Sequence, residues 1–225
     1  MPHLALNSDF MALPIAHAPL LSRNGIRAYG VLDGVAHLEG GTFFGCITAG
    51  SCILQQHGLH FPLSPGMFFV AREAVQLQGG QALILQIQEY HGLFQIGGPI
   101  EATGRLRYID GCSDTLLVCP PRLGEPCLNH LHIPAGTLQS PHTHPSDRWG
   151  VIAAGSGHCR TQTGRHALSA GLAWWIPAGV EHSFVTDAES LDVFALHPDS
   201  DFGPQDGDHP MVNRTVLQSL KKHEA

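Results

Sequence analysis

The stretch PHTHPSDRWG contains residue types at a spacing that can bind a metal ion. His142 and His144 are separated by one residue, and a β-strand points alternate side chains to the same face, so both imidazoles can enter one interior. Further along, GLAWWIPAGVEH places Pro177 in a predicted tight turn that brings His182 back toward that interior. Three neutral imidazoles that converge in a dry interior predict a site for iron, manganese, nickel, copper or zinc.

The two residues before Trp149 decide how many positions around such a metal stay open. Arg148 cannot be a ligand, because a guanidinium keeps its proton and has no free lone pair. Asp147 is the neighbouring carboxylate, but strand alternation points it away from the face of Arg148 unless a β-bulge intervenes. We therefore expect three histidine ligands with open positions. The alternatives are a fourth ligand from Asp147 or another group, and three hydrogen-bonded core histidines without a metal.

Arg148, Asp147 and two tryptophans are the other candidates for functional side chains. If Arg148 faces inward, it can hold a substrate carboxylate or phosphate by two parallel hydrogen bonds, and otherwise it is a rim arginine paired with an acid. Trp174 and Trp175 are adjacent in a predicted strand, so we expect one ring to face the interior. The other ring should then pack against another barrel or a partner subunit.

The composition of the 225-residue chain indicates a globular protein without a basic surface. The net charge is −7, with 43% hydrophobic and 14% charged residues. A negative net charge argues against nucleic acid or an anionic membrane as the main partner, and no apolar run is long enough to span a membrane. The six cysteines form no CxxC pair and the N-terminus does not resemble a signal peptide, so we expect a reduced, cytoplasmic protein.

The sequence repeats itself at an offset of 105 residues, from Gly45 to Gly150. GCITAGSCILQQHGLHFPLSPGMFF aligns without a gap on GVIAAGSGHCRTQTGRHALSAGLAW, through shared AGS and LSxG blocks. Short apolar or alternating runs bounded by turn residues predict strands in both copies. These features predict an all-β fold of two similar barrels or sandwiches, joined around residues 100–112. The best helix candidate is the tail VLQSLKKHEA.

The histidine-containing segments resemble the two sequence motifs of the cupin family. GTLQSPHTHPSDRWGVIAAGSG is similar to the first motif, G-x5-H-x-H-x3-E-x6-G, and GLAWWIPAGVEH is similar to the second, G-x5-P-x-G-x2-H. The matching positions are Gly136, His142, His144, Gly155, Gly171, Pro177, Gly179 and His182. Together with the internal repeat, the resemblance implies a bicupin of two tandem double-stranded β-helix, or jelly-roll, barrels. We expect a degenerate N-terminal barrel at residues 1–105 and a metal-binding C-terminal barrel with a C-terminal arm at 106–225.

The chain departs from the first cupin motif at Arg148, where the family has a glutamate ligand. Cupins that keep only the three histidines resemble thiol and diketone dioxygenases, so the resemblance implies a three-histidine non-haem iron dioxygenase. Iron is therefore the first choice of metal, with manganese, nickel and zinc as alternatives, and a small organic molecule is the expected substrate. The sequence leaves open a non-redox metal-dependent isomerase, lyase or hydrolase, a non-catalytic cupin that binds a small ligand, and a homodimer.

The first copy differs from the second at the positions of the three histidines. At the same offset, these positions hold His37, Glu39 and Leu77. One histidine survives and the third has become aliphatic, so we expect the N-terminal barrel to be metal-free and structural. His37 with Glu39 is the pair that remains for a weak site.

Overall fold

The computed structural model describes residues 9–205 and residue 207, and this part of the chain is built almost entirely of strands. The predicted all-β fold is confirmed. The single helical element of the described residues is a 3-10 turn at Ile109–Gly111, and none of their helices could cross a membrane. The helix predicted for VLQSLKKHEA lies outside the described residues.

Nineteen strands account for the described architecture. They are β1 (Met11–Pro14), β2 (Ala18–Arg23), β3 (Ile26–Leu32), β4 (Val35–Leu38), β5 (Thr42–Ala49), β6 (Cys52–Gln56), β7 (Leu59–Leu63), β8 (Phe68–Arg72), β9 (Val75–Gln78), β10 (Gln81–Ile87), β11 (Gln95–Gly97), β12 (Leu106–Arg107), β13 (Ser113–Val118), β14 (Cys127–Ile133), β15 (Arg148–Thr161), β16 (Gly164–Ser169), β17 (Leu172–Ile176), β18 (Ser183–Val185) and β19 (Leu191–His197).

Strands β2 to β11 form two sheets in the first half of the chain. One sheet has the order β11-β8-β5-β10-β3-β2 and the other has the order β4-β9-β6-β7. Phe43 of β5, Leu54 of β6 and Leu77 of β9 belong to one cluster of fully buried side chains, which both sheets contribute to. The core of this half therefore lies between its two sheets, as in a sandwich or flattened barrel.

The second half is organised around the 14-residue strand β15. The first part of β15 pairs with β17 and β19 in a nine-stranded sheet with the main order β1-β17-β15-β19-β14-β13-β12, and its later part pairs with β16 and β18. Ile152, Cys159 and Phe184 belong to the buried cluster of this half. The described strands pair as open sheets, so the expected two closed barrels stay a proposal.

The strand register repeats between the halves at the offset found in the sequence. Gly45 lies opposite Phe69 in the β5–β8 pair, and Gly150 lies opposite Trp174 in the β15–β17 pair. A Cβ atom at either glycine would collide with the aromatic ring opposite, so both positions require glycine. A register shift also recurs at equivalent positions, between β5 and β10 and between β15 and β19. The two halves therefore share their local strand geometry.

A third apolar cluster joins the two halves. Phe44 and Leu85 from the first half pack in it with Trp149 and Trp175 from the second half. Strand β1 comes at the start of the described chain but pairs with β17 of the second half. The two halves are thus held together by apolar burial and by strand pairing.

Candidate metal centre

The structure brings the three predicted histidines together. One ligand atom from each of His142, His144 and His182 lies within 4.8 Å of the other two. The ring centroids are 4.6 to 5.2 Å apart. His142 and His182 form an isolated antiparallel bridge in which each backbone N–H donates to the other's carbonyl at 3.0 Å. Residues directly opposite in such a bridge point to the same side, which explains why the two rings meet.

Backbone carbonyls fix the orientation of two of the rings. Nδ1 of His142 donates to the carbonyl of Ser140 at 3.0 Å, and Nδ1 of His182 donates to the carbonyl of Val180 at 2.9 Å. With the proton held on Nδ1, the lone pair of each ring lies on Nε2. This outer contact is the usual companion of a metal-binding histidine.

Burial keeps two of the imidazoles neutral. It lowers the pKa of His144 to about 3, with a further contribution from the Arg148 charge, and it lowers the pKa of His182 to about 4. Neutral imidazoles bind metal without first releasing a proton, so protons do not compete with the metal at His144 and His182 near neutral pH. The donor set and its protonation therefore fit a divalent transition metal.

The histidine cluster faces a cavity of about 230 Å³ inside the second half. Its walls come from strands β12 to β15 and β17 to β19, together with the residue before the 3-10 turn. They are formed by Leu106, Arg107, Tyr108, Asp114, Asn129, Leu131, Arg148, Trp174, Phe184, Ala195 and His197, in addition to the three histidines. A small organic molecule can therefore bind beside the metal ligands.

Arg148 lines this cavity and is 7% exposed. Its Nη1 donates to Ser146 through the hydroxyl at 2.6 Å and the backbone carbonyl at 3.1 Å, and it also donates to the carbonyl of Asp147. These bonds fix the guanidinium beside His144 and His197, where its charge lowers both imidazole pKa values. The inward orientation considered from the sequence is the one that the structure adopts.

Asp147 lies away from the histidine cluster. Its carboxylate accepts hydrogen bonds from Nδ2 of Asn24 at 2.7 Å, Nε1 of Trp175 at 3.0 Å and the backbone N–H of Ala178 at 2.9 Å. The expected strand alternation explains this placement, because Asp147 points opposite to Arg148. The carboxylate therefore joins the first half to the turn before His182, and its placement argues against the alternative of a fourth metal ligand.

The two adjacent tryptophan rings lie on opposite sides of β17, as expected. Trp174 packs in the core of the second half and lines the cavity, whereas Trp175 packs between the halves. The inward ring is thus part of the wall around a bound molecule as well as part of the core.

Five polar cavity residues were not predicted from the sequence: Arg107, Tyr108, Asp114, Asn129 and His197. His197 ends β19, with its ring centroid 6.1 Å from that of His144, and burial lowers its pKa to about 3. Asp114 of β13 and Asn129 of β14 form part of the opposite wall. Strand alternation was the one signal for His197, because it places His197 on the same face of β19 as Ala195, two residues earlier. That signal could not show which face is the inner one.

Comparisons with known proteins agree with this fold. The model of the cupin domain family matches residues 129–197, which contain all three histidines. The comparison with curated protein sequences gives no match. A putative glyoxylate-induced protein from Pseudomonas aeruginosa has a TM-score of 0.60 at 12% identity, covering 91% of this chain and 93% of that one.

Two further solved structures are similar to the chain. A cupin 2 conserved barrel domain protein from Leptotrichia buccalis has a TM-score of 0.57 at 14% identity, covering 87% of this chain and 92% of that one. A salicylate 1,2-dioxygenase from Pseudaminobacter salicylatoxidans has a TM-score of 0.58 at 10% identity, covering 88% of this chain and 73% of that one. At these identities the likeness concerns the fold alone. The match to the cupin domain family is confined to residues 129–197, within the second half of the chain.

Proposed function

We propose that the chain is a metal-dependent cupin enzyme that acts on a small organic molecule, with a three-histidine non-haem iron dioxygenase as the best candidate. The observation that carries the proposal is the convergence of His142, His144 and His182 at the wall of an internal cavity. The fold shared with a salicylate dioxygenase is compatible with it. Manganese, nickel and zinc are the alternative metals.

The residues of the cavity have distinct roles in this proposal. Bound iron(II) would supply reactivity toward dioxygen, and three protein ligands leave room for substrate beside it. His142, His144 and His182 hold the metal, and Arg148 holds an anionic group of the substrate through charge-assisted hydrogen bonds. Trp174 and Phe184 provide apolar walls that keep water out. Asp147 acts indirectly, by positioning the strand and turn that carry these groups.

We also propose that the chain is a bicupin, with a degenerate barrel at residues 1–105 and a metal-binding barrel at 106–225. The repeated register of β5–β8 and β15–β17 supports this assignment. The same proposal predicts a small-molecule partner and a cytoplasmic location. It predicts no nucleic-acid or membrane partner, and it is compatible with a homodimer.

Oxygen-uptake measurements test the proposed activity. Protein reconstituted anaerobically with Fe(II) is mixed with oxygen and a panel of diketones, aminothiols and phenols. We expect uptake with at least one class, none with zinc-loaded protein and none with the His182→Ala variant. A metal-replete protein that consumes no oxygen with the whole panel contradicts the dioxygenase. Oxygen-independent turnover by zinc- or manganese-loaded protein would instead favour the isomerase, lyase or hydrolase.

A further inference from the structure

A carboxylate that is not a metal ligand lies in the wall of the histidine cavity. Asp114 belongs to β13, the strand next to β14 in the large sheet, and it is half-buried. It lines the same cavity as His142, His144 and His182 but does not belong to their cluster. A partly buried carboxylate in a cavity wall costs free energy unless it is paired or used, so its presence needs a reason.

The neighbouring strand orients this carboxylate. Nδ2 of Asn129 on β14 donates to Oδ1 of Asp114 at 2.8 Å. Among the described residues, no side chain or backbone group donates to its other oxygen, Oδ2. Asn129 and Leu131 both line the cavity, two residues apart on the same face of β14. One oxygen is therefore fixed by the protein, and the other remains free to accept a proton.

The electrostatic surroundings favour proton transfer at Asp114. Burial raises its pKa, while the Asn129 hydrogen bond and the nearby His130 oppose this effect. Burial is the main cause that raises the pKa values of Tyr108 and Cys127, and the Asp114 charge adds to it, so both side chains stay protonated beside the carboxylate. A carboxylate with a raised pKa accepts a proton near neutral pH more readily than an exposed one.

We propose that Asp114 is the general base of the cavity for a substrate with an acidic O–H group, such as a phenol or an enol. The O–H bond of the substrate breaks, its proton moves to Oδ2 of Asp114, and its electron pair stays on the substrate oxygen. The resulting oxyanion faces the three histidines, and Asp114 returns the proton when the product leaves. Asn129 is a positioning residue. This inference rests on the proposed function, because it places the substrate in the same cavity.

The test measures proton linkage on zinc-loaded protein, where no oxygen chemistry is needed. Binding of catechol and of pentane-2,4-dione is followed by calorimetry between pH 6 and 8, for the wild type and for Asp114→Asn. In the wild type the proton stays on Asp114, so we expect nearly constant affinity. In Asp114→Asn it must go to solvent, so affinity should rise about tenfold per pH unit. Asp33→Asn, an exposed turn residue in the first half, is the matched control and should behave as the wild type.

Measurements of zinc affinity and thermal unfolding show whether Asp114→Asn changes metal binding or stability. The exchange is isosteric and keeps an oxygen for Asn129, so both should match the wild type. The same pH dependence in the wild type and Asp114→Asn overturns the inference, as does the absence of binding of both probes to zinc-loaded wild-type protein. If the protein consumes oxygen in the earlier assay but the wild type and Asp114→Asn show the same pH dependence of binding, only the role of Asp114 as general base is refuted. If the pH dependence of affinity appears only in Asp114→Asn and no oxygen is consumed, only the dioxygenase activity is refuted.

Discussion

The two halves of the molecule share the register of the β5–β8 and β15–β17 strand pairs but use their interiors differently. In the second half, His142 lies opposite His182 and both rings face a cavity. In the first half, Leu77 lies opposite Ala36 and is fully buried in a filled core. The comparison indicates that the same strand arrangement can enclose a filled apolar core in one half and a cavity with candidate metal ligands in the other.

A shift of one residue accounts for the fate of the first-half histidine. The sequence offset equates His37 with His142, but His37 pairs with Gln76 and is exposed. Because side chains alternate along a strand, a one-residue slip turns a side chain to the other face. His37 and Glu39 therefore both lie on the surface, and the structural counterpart of His142 is Ala36.

The position of Arg148 shows the same division. Its counterpart at the 105-residue offset is Phe43, which lies opposite Ala71 just as Arg148 lies opposite Ile176. Phe43 is fully buried in the core of the first half, whereas Arg148 lines the cavity. A charged side chain occupies this position where the interior is open, and an aromatic one where it is filled.

The largest expected effect is loss of the metal on removal of a cavity histidine. His142→Ala deletes one of three ligands and should weaken Zn(II) or Fe(II) affinity by more than about 100-fold, the upper range for loss of an outer contact. His37→Ala, at the same sequence offset, should leave affinity unchanged. Titration calorimetry of both variants checks this, and equal affinities for the wild type and His142→Ala would contradict the assigned ligands.

Leu77→Ala should destabilise the first half without affecting the metal. Removing a fully buried leucine side chain costs about 2–5 kcal/mol of unfolding free energy, because a cavity replaces it. Urea denaturation measures this loss, and metal affinity is measured on the folded variant. A change in metal affinity comparable to that of His142→Ala would indicate that the first half takes part in the site.

Asp147→Asn separates the structural role of this residue from that of a fourth ligand. The substitution removes the charge that Asn24, Trp175 and the backbone of Ala178 stabilise, so we expect a loss of about 2 kcal/mol in unfolding free energy. Metal affinity should stay within about threefold of the wild type, because the carboxylate does not belong to the histidine cluster. A large drop in affinity with little change in stability would restore Asp147 as a ligand.

We also expect the stability of the metal-free protein to depend on pH. The folded pKa values of His144, His182 and His197, about 3, about 4 and about 3, lie below the ordinary value of 6.5. Between these limits the unfolded chain binds more protons, so stability is full above about pH 6.5 and falls as the pH decreases toward 4. His182→Leu, which introduces the residue found at the equivalent position of the first half, should make the curve shallower, while His144 and His197 maintain the rest of the dependence. Urea midpoints from pH 4 to 7 that are identical for both proteins would contradict the buried, neutral state of His182.

The sequence was sufficient for the parts of the site that lie in local motifs. The meeting of His142, His144 and His182 was predicted, but the strand alternation behind that prediction is absent: His142 lies in an isolated bridge and His144 lies outside the strands. The placements of Trp174 and Trp175 follow from alternation along β17. His197 and Asp114 belong to strands far apart in the chain, and only sheet pairing brings them to the cavity. The outward turn of His37 was also unpredictable, because a one-residue register slip leaves no trace in residue spacing.

Anomalous diffraction at the metal absorption edge tests the central claim most directly. Crystals grown with Zn(II) or, anaerobically, with Fe(II) should show one strong anomalous peak per chain within bonding distance, about 2.0–2.2 Å, of a nitrogen from each of His142, His144 and His182. Arg148 and Asp147 should lie outside the coordination sphere. No peak between these three rings, or a peak in the first half instead, would contradict the account.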